Sequence, residues 1–204
     1  IIGMEKNVGK TTLLNKLITD IGKTKKLGLT SIGRDGEDID VVTNTDKPRI
    51  YVRKGSIIAT GRNCLAKCDI TKEILYVTDF TTPMGSIVLV RALSDGYVDI
   101  AGPSYNKQVK IIVELMEKFG SEISIVDGAL GRKSTAISDV SEATILSTGA
   151  ALSLDMLKVV EETQKTVYFL RLEEIDSEVK EKIKEFKDEK AVLFYKNGEV
   201  AILE

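Results

Sequence analysis

The chain has 204 residues, 43% of them hydrophobic and 29% charged, with a formal net charge of −2. That is the size and balance of one α/β domain with a full core, and the absent basic surplus argues against nucleic-acid binding. With two cysteines and no histidine, a four-ligand zinc site or a histidine-based triad is excluded within one chain, and any chemistry falls to carboxylates, lysine, threonine and metal.

In chain order, Ile1-Ile2 reads as a strand end. It is followed by Gly3-Met4-Glu5-Lys6-Asn7-Val8-Gly9-Lys10-Thr11-Thr12 and a helix whose apolar stripe is Leu13, Leu14, Leu17, Ile18 and Ile21, stopped at Gly22. Strand, glycine-bounded loop and a helix opening Gly-Lys-Thr is the layout of a phosphate-binding loop. Asn7, Val8, Gly9, Lys10, Thr11 and Thr12 would cradle a nucleotide, Lys10 would reach the β- and γ-phosphates, and the Thr11 hydroxyl would serve a Mg²⁺ ion. Met4 stands where the usual G-x-x-x-x-G-K-[ST] pattern has its first glycine, which leaves a weak phosphate binder as a competing reading.

Leu27 to Ile32 is a short strand leading into Gly33-Arg34-Asp35-Gly36-Glu37-Asp38. At the carboxyl end of a parallel strand, Asp35 or Glu37 would hold Mg²⁺ through water or orient an attacking water, against the alternative of an exposed turn. Residues 47–101 read as short β-runs, with Asp95-Gly96 as a hairpin turn and Gly61 to Thr71 as a short helix carrying Cys64 and Cys68 as reduced thiols. This region extends the sheet or forms an insertion over its ligand edge, as a partner surface or as structural decoration.

A helix follows Ser104, with Val109, Ile112, Val113, Met116 and Phe119 on one face. Glu122 to Gly128 then forms an apolar strand delivering Asp127, the expected Walker B acid, toward Mg²⁺ from beside the first strand. Arg132 and Lys133 would neutralise phosphate charge or sit in a solvated loop. Ala143 to Ala150 reads as a strand and small-residue turn, lying against a base or simply turning. A helix through Leu154, Leu157 and Val160 comes next, then a strand over Thr166 to Leu172. Ser177 to Lys187 reads as a helix burying Val179, Ile183 and Phe186, and a hairpin over Asn197-Gly198 closes the sheet edge. The fold class expected is α/β: one domain over residues 1–204, a mostly parallel sheet flanked by helices as in P-loop NTPases, with antiparallel hairpins inserted and at the C-terminal edge.

The loop register counted from Gly3, ending Val8-Gly9-Lys10-Thr11, resembles that of dethiobiotin synthetases, within the SIMIBI branch of P-loop NTPases. The second lysine that marks MinD-type ATPases would fall at Glu5, so that subgroup is not indicated. The blocks Gly28 to Glu37 and Ile125 to Thr135 resemble a reactivase accessory subunit of adenosylcobalamin-dependent lysine 5,6-aminomutase, over the whole chain. That resemblance implies an ATP-driven helper that exchanges damaged cobalamin, docking through residues 47–101 onto the aminomutase or a second reactivase subunit, with a homodimer also allowed. The dethiobiotin-synthetase likeness implies instead an ATP-dependent small-molecule ligase or kinase. No Asn-Lys-x-Asp guanine motif is present, which favours ATP. No apolar run approaches the ~20 residues of a membrane span, and no charged-then-apolar leader opens the chain, so a cytoplasmic location is expected.

Overall fold

Strands β2 (Leu27–Ser31) and β4 (Ile57–Gly61) are buried along their whole length, the mark of parallel strands covered on both faces. Successive side chains of a strand point to opposite sides, and the core divides accordingly. Ile58 of β4, with Val88 and Val90 of β6 (Gly85–Ala92), joins Leu27, Leu29 and Ile125 in one cluster. Leu14 and Ile18 of α1 (Lys10–Ile21) cover that face, together with Ile50, Val52 and Val98 from β3 (Ile50–Val52) and β7 (Gly96–Val98). Ile57, Ala59, Ile87 and Leu89 point the other way, onto Ile112 and Met116 of α3 (Asn106–Lys118). The apolar stripes read from the sequence for these two helices are therefore the stripes that pack.

The computed structural model describes residues 1–32, 49–128 and 141–203, apart from 174, 187–190, 196 and 198. These divide into two compact units, Ile1–Thr166 and Val167–Glu204. In the first unit a five-stranded sheet has the order β5-β6-β4-β2-β8, with β5 at Lys72–Thr82 and β8 at Ile123–Asp127. A parallel pair of β1 (Ile2–Gly3) and β9 (Leu146–Ser147) continues it. The Ile1 nitrogen donates to Val126 O at 2.7 Å and Gly128 N donates to Ile1 O at 2.7 Å, a parallel pairing that sets Ile1 opposite Asp127. The run β4-β2-β8-β1-β9 is thus parallel, with β6 and β5 added antiparallel at one end. The architecture is mixed α/β, a sheet with a parallel core, flanking helices and antiparallel additions.

Several local expectations are corrected. Asp95-Gly96 does not turn a hairpin: β6 pairs with β4 and β5, whereas β7 crosses to pair with β3. The hairpin of this region turns instead between Thr82 and Gly85, which stand opposite each other. Asp95 serves as an acceptor, taking the Lys54 N–H at 2.8 Å and the Tyr51 hydroxyl at 3.0 Å. The short helix α2 covers only Arg62–Leu65, so Cys68 lies beyond it. The stretch Thr166–Leu170 is helical, the end of α4 (Met156–Leu170), although its β-branched and aromatic residues favour a strand locally. Extending an existing helix adds one bond per residue, and a strand needs a neighbour; Arg171 N still donates to Val167 O.

In the second unit, α5 (Ser177–Ile183) passes into a 3₁₀ turn at Lys184–Phe186. Ile183 is exposed, and Val179 and Phe186 are half-buried, so the expected buried stripe is not formed. Strands β10 (Ala191–Phe194) and β11 (Val200–Leu203) pair antiparallel as a two-stranded sheet of their own, and among the described residues they pair with no strand of the five-stranded sheet.

Buried hydroxyls fasten a strap across the carboxyl ends of β2 and β4. Ser31 Oγ donates to Ile100 O and accepts from Gly102 N; Thr60 Oγ1 donates to Asp99 O and accepts from Ala101 N. Gly102 comes so close that a Cβ there would stand 1.7 Å from Ser31 O, which only glycine permits.

Candidate functional site

The parallel strands end at one edge, where α/β proteins place their ligands. At that edge β1 passes into the loop Met4–Gly9. Met4 N donates to Ser147 O at 2.9 Å, which extends the pairing with β9 by one step. The chain then turns through two left-handed residues, Asn7 at φ 60° and Gly9 at φ 85°. A Cβ at Gly9 would meet nothing within 4 Å. Glycine is favoured there by the backbone angle, which costs other residues roughly 1–2 kcal/mol, and not by space.

Gly9 is the N-cap of α1, and no side chain caps this end or places an acid in its first turn. Leu13 N is the first amide to reach back into the helix start, onto Gly9 O at 2.9 Å. Among the described residues, the N–H groups of Val8, Gly9, Lys10, Thr11 and Thr12 donate to nothing. A left-handed residue followed by a helical one turns successive amides toward a common point. The helix dipole adds positive potential at the same place. The result is a concentration of five unsatisfied donors suited to an anion.

Lys10 lies across this loop. Its Nζ donates to Glu5 O at 3.1 Å. Gly3 makes room for that path: a Cβ there would stand 2.7 Å from Lys10 Nζ, 2.8 Å from its Cδ and 2.9 Å from Val8 Cγ2. The glycine that the loop register was counted from therefore leaves room for the lysine side chain along this path. Glu5, read from the sequence only as the place of an absent second lysine, also accepts the Lys6 N–H on its own carboxylate at 2.8 Å. Nothing in the sequence beyond its place in the loop signals that contact.

Asn7, Val8, Gly9, Lys10, Thr11 and Thr12 are brought together as one loop and first turn. Asp127 ends β8 next to β1, with its Oδ1 buried. The register opposite Ile1 sets it two residues back from Gly3, roughly 7 Å along the strand direction. Hydroxyl and carboxylate are hard oxygen donors of the type Mg²⁺ takes. Asp35, Glu37, Arg132 and Lys133 lie outside the described residues; the strands that precede them, β2 and β8, both end at this edge. The turn after β9 closes on itself through Leu152 N to Gly149 O, and Thr148 Oγ1 lies 2.9 Å from Thr163 Oγ1 of α4. Cys64 and Cys68 are unbridged, and burial pushes the Cys68 thiol up, away from a reactive thiolate. Among the described residues no group of three or more Cys, Asp or Glu is placed to hold a metal, and no helix is long and apolar enough to cross a membrane. Comparison of the chain with protein-family models, curated proteins and solved structures gave no match.

Proposed function

We propose that the Met4–Gly9 loop and the first turn of α1 bind the polyphosphate of ATP, and that the chain is an ATP-hydrolysing P-loop protein. One observation carries this reading: five consecutive amides, Val8 to Thr12, have no partner among the described residues, and Lys10 lies back across the same loop with its Nζ on Glu5 O at 3.1 Å. The Val8 to Thr12 amides would bind phosphate oxygens, and Lys10 would exchange Glu5 O for a β- or γ-phosphate oxygen. Thr11, and Asp127 through water, would hold Mg²⁺, which supplies charge neutralisation on the phosphates. Asp35 or Glu37 would orient the attacking water, and Arg132 would offset phosphate charge. Catalysis of this kind is positioning and electrostatics, work that fixed amides and one lysine perform.

The accessory role toward a cobalamin-dependent aminomutase is supported by the resemblance of residues 28–37 and 125–135. The described parts of those blocks lie on β2 and β8, neighbouring strands close to the loop. The test is calorimetric titration of the protein and of Lys10→Ala with Mg-ATP. Loss of one charge-assisted bond of about 1.5–3 kcal/mol should weaken binding roughly 10- to 150-fold. Equal affinity of the two proteins would refute the site. ATP turnover accelerated by the aminomutase would support the accessory role, and turnover dependent on a small-molecule acceptor would point to a ligase.

A further inference from the structure

We infer that β5 is the contact edge for a second copy of this chain, joined antiparallel through residues 72–79 about a twofold axis between Leu75 and Tyr76. β5 ends the five-stranded sheet, and among the described residues it pairs with β6 alone. An open edge offers a row of backbone donors and acceptors to another strand. This edge is also apolar: Ile74 is 64% exposed, Val77 57% and Tyr76 47%. The open stretch ends at Asp79, because Phe80 N donates to Thr78 Oγ1 at 3.2 Å.

A bulge makes the edge self-complementary. Ile74 stands opposite Val90 and Val77 opposite Val88, and both valines lie in the cluster that α1 covers. Directly paired side chains share a face, so Ile74 and Val77 share one. A regular strand would set them on opposite faces. The register shift between Ile74 and Tyr76 is the cause: Tyr76 stands opposite Leu89, and Leu75 packs on the cluster that holds Leu89. The order of faces therefore reads the same from either end. Against an antiparallel second copy, Ile74 meets that copy's Val77 and Leu75 meets its Tyr76. A slip of one residue would oppose side chains on different faces. The same register sets Lys72 opposite the exposed Asp79 of the second copy. The Lys72 ammonium spends one donor on Leu65 O at 2.7 Å and keeps two. Glu73 is paired within its own chain by Arg91 at 2.9 Å, so it brings no uncompensated charge to the contact. Apolar residues thus meet apolar ones and cation meets anion, which commits the edge to this chain itself.

The test is sedimentation equilibrium of the full chain and of Ile74→Asp over concentrations on the order of 1–500 µM, the range suited to a small contact. The chain should dimerise. Ile74→Asp places a charge at the contact twice and should weaken association by roughly tenfold or more. Ile74 is exposed, so thermal unfolding of the variant should stay within a few degrees of the parent. Register is tested by mixing Ile74→Cys protein with Val77→Cys protein under air oxidation. The mixture should cross-link between copies much faster than either variant alone, since directly opposite residues stand about 4.5–5.5 Å apart at Cβ. The parent, with Cys64 buried and Cys68 half-buried, is the control. A chain that stays monomeric throughout leaves the edge to a different kind of chain and overturns the proposal. A dimer that Ile74→Asp leaves intact, or cross-linking as fast in the single variants as in the mixture, overturns it as well.

Discussion

Gly3→Ala isolates the lysine's path across the loop. The new Cβ would stand 2.7 Å from Lys10 Nζ, about 0.7 Å inside ordinary contact, with Lys10 Cδ at 2.8 Å and Val8 Cγ2 at 2.9 Å. Gly3 is not among the residues with positive φ, so alanine costs no backbone strain. The atoms in the way are side-chain atoms, chiefly the far end of a flexible lysine, which swings aside at small cost to the fold. Overpacking of this order costs about 1 kcal/mol, a fall of roughly 2–4 °C in melting temperature for a chain this long. The lysine, however, loses both its place beside the cup and its bond to Glu5 O. Mg-ATP affinity should therefore drop roughly tenfold or more, approaching that of Lys10→Ala. Titration calorimetry on both single variants and the double variant decides it. With Lys10 already truncated, Gly3→Ala should cost little further affinity, since both changes act through one group. A Gly3→Ala protein that binds Mg-ATP within twofold of the parent, or affinity losses that add fully in the double variant, would refute the reasoning.

Gly102→Ala drives a Cβ to 1.7 Å from the Ser31 carbonyl oxygen, a backbone atom that cannot move aside. It should destabilise the protein by about 3 kcal/mol or more in urea unfolding. Gly55→Ala has open space at φ 91° and should cost only about 1–2 kcal/mol; similar losses for the two would undo the strap argument. The Lys54 N–H, and then the Tyr51 hydroxyl, hold the Asp95 carboxyl below its usual range. Its contribution to stability is therefore present above the ordinary carboxylate pKa and lost as pH falls through the lowered folded value. Asp95→Asn should flatten the fall in stability that sets in as pH drops below the ordinary carboxylate pKa, and parallel stability-pH curves for the two proteins would contradict that assignment.

The elements most legible in the sequence are those whose periodicity reports burial. Leu14 and Ile18, and Val109, Ile112 and Met116, were placed on core-facing stripes by spacing alone, and they are buried. The loop was legible because Gly9-Lys10-Thr11 follows a strand end and opens a helix. Misreadings came where local preference competed with pairing. Asp95-Gly96 has the composition of a hairpin turn, but the strands on either side find other partners. Thr166 to Leu170 has the composition of a strand, but continues a helix already begun at Met156.

Sequence by itself determined the alternation of strands and helices, the apolar faces, and a glycine-lysine-threonine turn at the start of α1, because each follows from side-chain period and backbone freedom within a few residues. Tertiary structure decided what distant residues become to one another. It set Asp127 beside β1 but two residues back from Gly3, fastened the 99–102 strap to Ser31 and Thr60, and led Lys10 over Gly3 to the carbonyl of Glu5. Those relations depend on strand register and on close approach between separate segments, and neither is written in the spacing of residues along one chain.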